Sequence, residues 1–212
     1  MLYDDKRIGE LVEACHRAAA CGLVRCSSGN MSCRLDGGRL AVTAKGAWLG
    51  RVTPDEIAVC RIDDAECVNG KVPSVEARFH AGVFRARPDV GAVLHCQSPC
   101  ATAVACGDPD AYDFQIIPEI PFYVGTPAVI GYAAPGSPEL ADAIVEAVRE
   151  HDFVLMGNHG QTAVGGSLDD VIQKAAFFEL ACEILLRGRD VRPLPEDAIA
   201  ALRARARRER SA

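Results

Sequence analysis

The chain of 212 residues contains no apolar run near the roughly 20 residues that a membrane-spanning helix needs, so no membrane partner is expected. Aromatic residues are few, 6% with a single Trp, which leaves the core to aliphatic and small side chains. Positive charge is not in excess: 23 Lys and Arg stand against 29 Asp and Glu, a net charge of −6 that excludes the broad basic footprint of a nucleic-acid binder. No G-x-G-x-x-G is present, which removes the dinucleotide-binding fingerprint. No C-x-x-C pair occurs among the ten cysteines, and several lie in apolar stretches such as IAVCRI. Buried thiols are therefore expected rather than a disulfide framework. The start, MLYDDKRIGE, lacks the basic-then-apolar layout of a secretion signal, so a cytoplasmic protein is expected.

What is present reads as one domain over residues 1–212, without repeat or linker, ending in an Arg-rich helix or tail over about 196–212. Apolar residues at helical spacing run over 3–21 and stop at Gly22. After the loop CSSGN, two short strands flank Asp36-Gly37-Gly38, a hairpin turn signal. Thr53-Pro54-Asp55-Glu56 reads as a capping box opening a short helical turn, followed by strand IAVCRI at 57–62. Ser74 is expected to cap a helix running to about Arg87, and GAVLH at 91–95 is an apolar strand before a helix opened by Ser98. Short strands are expected around FQII and AVIGY in the Pro/Gly-rich middle. A helix from Ser137-Pro138 to about His151, strands FVLMG and QTAVG around Asn158-His159-Gly160, and helices over about 168–186 and 196–209 complete the pattern. Tight hairpins among alternating helices and strands imply an α/β protein with a mixed or antiparallel sheet covered on both faces.

Of five histidines, His95 and His159 each follow an apolar strand directly, which lets a side chain project from a rigid element into a cleft. Gly160 lets the backbone turn sharply behind His159. Strand alternation in His95-Cys96-Gln97 puts His95 and Gln97 on one face and Cys96 on the other. Pro73-Ser74-Val75-Glu76 opens a helix, where free N–H groups suit an anion and the Glu76 charge suits the helix dipole. Singly, each of these has an ordinary structural explanation.

In order and spacing, however, KVPSVEARFH, VLHCQS and GNHG, with SSGNMS at 27–32 and TAKG at 43–46 upstream, resemble the class II aldolase/adducin family over about residues 5–187. The resemblance implies a three-layer α/β/α sandwich with a mainly antiparallel central sheet, and a homotetramer with active sites at subunit interfaces. It implies His95, His159 and Glu76 as ligands of a zinc-type ion, with Glu76 also an acid/base. Ser27, Ser28, Gly29, Asn30, Lys45, Gly46 and Ser74 fall where the family holds the substrate phosphate. The implied activity is retro-aldol cleavage of a small phosphorylated ketose, with epimerisation, dehydration or decarboxylation as alternatives on the same site. A Gly-containing turn of neutral donors can wrap an anion, and Lys45 adds a positive charge.

The sequence departs from the family where active aldolases carry H-x-H, because Gln97 replaces the second His. An amide oxygen is a harder, weaker ligand than imidazole, so Mn2+ or Co2+ joins Zn2+ as an expected cofactor. The departure also fits a member that has lost catalysis, as the adducins have. Retained chemistry is favoured, because buried polar groups cost free energy unless they are used. The family's fuculose-phosphate aldolases present a tyrosine from a neighbouring subunit as proton donor. Glu119, a carboxyl beside apolar Ile and Pro, and Tyr123 are both candidates here.

Overall fold

The computed structural model describes residues 5–210. Helix α1 (Asp5–Ala20) buries Ile8, Leu11, Val12, Cys15 and Ala18 and ends at Gly22, whose φ of +76° is the left-handed turn expected there. Strands β1 (Asn30–Arg34), β2 (Arg39–Thr43) and β3 (Ile57–Arg61) form an antiparallel meander, with the capping box of Thr53 and Glu56 intact before β3. Helix α2 (Ala77–Ala86), β4 (Ala92–Cys96), α3 (Pro99–Ala105), β5 (Ala128–Ile130), α4 (Pro138–Ala147), β6 (Phe153–Met156), β7 (Gly160–Gly165), α5 (Leu168–Arg187) and α6 (Glu196–Arg210) follow.

All seven strands share one sheet, ordered β3-β2-β1-β4-β7-β6-β5, antiparallel throughout except for the β5–β6 pair. Period-2 alternation splits the core in two. Met31, Cys33, Leu94, Cys96 and Leu155 face α1, α3 and α5, whereas Val42, Val93, Val154 and Val164 face α2 and α4. This is the expected three-layer α/β/α sandwich with a mainly antiparallel sheet.

Four local expectations need correction. FQII at 114–117 is not a strand: Phe114 packs on Phe178 with ring centroids 5.0 Å apart, so its apolar content anchors a turn in the core. The strand in AVIGY stops at Ile130, and α4 ends at Ala147, one turn before His151. Helix α2 begins at Ala77, because the Ser74 hydroxyl accepts from the Glu76 N–H and holds a turn ahead of the helix. Between α3 and β5, residues 120–124 form a π-helical turn closed by Gly125 N–H to the Ile120 carbonyl at 2.7 Å, a shape that apolar spacing does not encode.

All ten cysteines are free, and five are buried. Burial pushes the Cys96 thiol up to about 12, so it packs as an inert small hydrophobe. Among the described residues, no helix is long and apolar enough to cross a membrane.

Candidate active site

Register brings the site together. Asn30 on β1 pairs directly with His95 on β4, and His95 pairs with Thr162 on β7, so these side chains emerge on the α2 face of the sheet. Cys96 lies on the opposite face, packed in the α1/α3/α5 core, as alternation requires. Glu76, immediately before α2, reaches over the sheet toward His95. His159 arrives from the turn between β6 and β7. That turn takes its left-handed residue at Asn158, with φ +53°, rather than at Gly160. Gly160 is needed for another reason: a Cβ there would sit 2.6 Å from the Cys96 carbonyl oxygen, so only glycine lets β7 close on β4.

The ligating atoms of Glu76, His95 and His159 lie within 4.8 Å of one another, all three residues buried. Glu76 Oε2 is 3.6 Å from His95 Nε2, and Oε1 is 3.5 Å from His159 Nε2. Those separations exceed a hydrogen bond. They match the roughly 3.3 Å expected between ligand atoms that each sit about 2.0–2.1 Å from a tetrahedral zinc. The His95 ring donates its Nδ1–H to the Gln161 carbonyl at 2.9 Å, which leaves the Nε2 lone pair facing Glu76. His159 has its pKa lowered by burial, then by nearby His95, with Glu76 opposing, which favours the neutral ligand form. Glu76 Oε1 and His159 Nδ1 are buried without a hydrogen-bond partner among the described residues. An orphaned buried carboxylate oxygen is costly, and a cation in this triangle would satisfy it.

These groups form one end of a cavity of about 210 Å³ that Ser27, Ser28, Gly29, Asn30, Lys45, Gly46, Ser74 and Gln97 also line. Every residue expected at the metal or phosphate is thus gathered, though not all with free donors. Ser28 gives both its hydroxyl and its N–H to the Arg25 carbonyl, at 2.7 and 2.9 Å. Asn30 donates its amide to Glu76 Oε2 at 2.7 Å and accepts from His80. Ser74, in contrast, accepts from the Glu76 N–H and keeps its own proton to donate. Lys45 is exposed at the rim.

The Class II Aldolase and Adducin N-terminal domain family pattern matches residues 9–186. The chain belongs to this family. A 3-oxo-tetronate 4-phosphate decarboxylase of Haemophilus influenzae is 31% identical over 177 residues, covering 81% of this chain and 84% of that protein. A 5-methylthioribulose-1-phosphate/5-deoxyribulose-1-phosphate aldolase of Escherichia coli is 33% identical over 184 residues, covering 84% and 82%. The crystal structure of YgbL from Klebsiella pneumoniae superposes with a TM-score of 0.86 at 27% identity, covering 96% of this chain and all of that one.

Within this family member, Glu119 and Tyr123 stand apart from the cavity of their own chain. Glu119 is half-buried just before the π turn. Tyr123 stacks on Phe177 at 5.2 Å and lines another cleft with Arg87, Asp152 and Lys174. Helix α6 docks on this turn through buried Ala206, with Arg205 over the Phe122 ring and Arg203 bonded to Thr126, so the Arg-rich segment packs as a helix.

Two buried polar residues at the site escaped sequence reading, Ser32 and His80. The available signal was the spacing of Glu76 and His80, four apart and so on one face of a helical segment.

Proposed function

We propose that the chain is a divalent-metal-dependent carbon–carbon lyase that cleaves a small ketose 1-phosphate to dihydroxyacetone phosphate and an aldehyde. The observation that carries this reading is the convergence of Glu76, His95 and His159 on one end of a cavity that Ser27, Lys45, Gly46 and Ser74, donors suited to a phosphate, also line. Glu76, His95 and His159 would hold the ion, with the Gln97 amide oxygen as a neutral fourth donor. Zinc suits the two imidazoles and the carboxylate, and Gln97 opens the site to Mn2+ or Co2+. When bound, such an ion supplies a Lewis acid that polarises the substrate carbonyl.

The Ser27 and Ser74 hydroxyls, the Lys45 ammonium and the Gly29 and Gly46 N–H groups would hold the phosphate and fix which carbon faces the carboxylate. Glu76 exchanges a proton at the carbon that gains electron density as the bond breaks. The hydroxyl that becomes the aldehyde must give up its proton as the bond breaks, and Glu119 or Tyr123 of a neighbouring copy would take that proton in a homotetramer with sites at subunit interfaces.

Decarboxylation of a phosphorylated 3-oxo acid is the second reading, favoured by the relative from Haemophilus influenzae. It leaves the same electron-rich carbon next to a carbonyl and asks only a proton of Glu76. A panel of ketose 1-phosphates and a phosphorylated 3-oxo acid, incubated with zinc-loaded protein, separates the two. Dihydroxyacetone phosphate release is expected, lowered at least about 100-fold in Glu76→Gln. Carbon dioxide from the oxo acid alone would favour the second reading. Turnover of a ketose phosphate without cleavage would indicate epimerisation or dehydration. A chain that binds no metal and turns over nothing would be adducin-like.

A further inference from the structure

We propose that Ser32 and His80 are positioning residues that act through the Asn30 amide to fix the Glu76 carboxylate toward His95 and His159; this rests on the metal-site reading above. The four side chains form one unbroken buried chain. Ser32 Oγ lies 2.6 Å from His80 Nδ1, His80 Nε2 contacts Asn30 Oδ1, and Asn30 Nδ2 lies 2.7 Å from Glu76 Oε2. Ser32 and His80 have no solvent exposure at all.

The sense of every bond follows from one end. A metal-binding carboxylate only accepts, so Asn30 must present its NH2 to Glu76 and its oxygen to His80. His80 must then carry its proton on Nε2, and its bare Nδ1 must accept from the Ser32 hydroxyl. Burial, with His95 nearby, pushes the His80 imidazole down to about 3, consistent with a single ring proton. With the amide unable to flip, Glu76 Oε2 is held and Oε1 is left bare toward His159.

Packing alone does not account for these residue types. Ser32 faces Val42 and Val93 across its two ladders, and His80 stacks on Phe79 with centroids 4.4 Å apart, so apolar side chains would fill both places. Buried polar groups there cost free energy unless they are paired. Here the pairing ends on the carboxylate of the site. Orientation of ligands by such outer partners typically changes metal affinity 10–100-fold.

The test uses the full chain and zinc alone, with a chromophoric chelator as competitor. His80→Phe keeps the ring stacked on Phe79 and removes both hydrogen bonds; its zinc affinity is expected to fall about 10–100-fold. His80→Gln keeps an N–H in reach of Asn30 and is expected to recover to within about threefold of wild type. Ser32→Ala is expected to fall in the same direction by a smaller factor. Nitrogen-15 NMR of the histidine-labelled wild-type chain is expected to show His80 protonated on Nε2 only, a readout that does not depend on any variant folding. A purely structural role would lower the melting temperature and leave zinc affinity unchanged. Wild-type zinc binding with unchanged affinity in folded His80→Phe or Ser32→Ala, or a proton on His80 Nδ1, overturns the relay alone. A wild-type chain that binds no zinc overturns the metal site and the relay with it.

Discussion

Gly29 has a φ of +90°, and a Cβ there would lie 2.7 Å from the His95 carbonyl oxygen and 3.0 Å from Val24. The loop of residues 25–29 therefore touches the backbone that carries His95, and Gly29→Ala must either strain the loop or move it. A loss of about 2–4 kcal/mol in urea denaturation is expected, with weakened zinc binding; a variant within about 0.5 kcal/mol of wild type would mean the loop is free to shift. At this scale the three residues that converge on the cavity were legible as candidates, because His95 and His159 follow apolar strands and Glu76 opens a helical segment. Ser32 was not legible. In Asn30-Met31-Ser32-Cys33-Arg34 the alternation reads as a strand with a solvated face, and only the docking of α2 turns that face inward. The roles of Ser28 and Asn30 were equally hidden, since a polar turn does not reveal which donors its own backbone consumes.

Elements are tied together by two sets of hydrogen bonds, one around half-buried Glu179 and one around buried Lys174. The Glu179 carboxylate on α5 accepts from Ser98 Oγ and from the Cys100 and Ala101 N–H groups, so it caps α3 from a distance while the Ser98 hydroxyl points to it. Glu179→Ala leaves those donors unpaired, and a loss of about 1–3 kcal/mol is expected by chemical denaturation; no loss would remove the cap from the account. Lys174, also on α5 and buried, bonds to Asp152, Asp170 and the Val164 carbonyl. Burial alone would raise the Asp152 pKa, but Lys174 and Arg87 outweigh it and hold it below its ordinary value. A depressed folded pKa gives stability that is complete above the unfolded value near 4 and lost as pH falls through the folded one. Lys174→Met is thus expected to cost about 3–5 kcal/mol at pH 7 and progressively less below about pH 4. A cost independent of pH would contradict the pairing. Most elements could be read from periods of 3.6 and 2 with their caps. FQII misled because a short apolar run does not distinguish a strand from a core-anchored turn, and the parallel edge strand β5 depends on a crossover that no local pattern marks.

For the molecule as a whole, one sheet from Asn30 to Gly165, apolar on both faces, gathers Glu76, His95 and His159 from places 19 and 64 residues apart along the chain. Continuous pairing joins all seven strands of the described residues in one sheet, and on that basis we propose one domain. It also gives the site its rigidity, since the His95 strand is paired on both sides. We propose that this crossing point holds a divalent ion. The most direct test is a zinc titration of the metal-free full chain, read by isothermal calorimetry. One ion per chain is expected for wild type, with affinity at least about 100-fold weaker in His159→Ala. No zinc uptake by the folded wild-type chain, or equal uptake by His159→Ala, would contradict it.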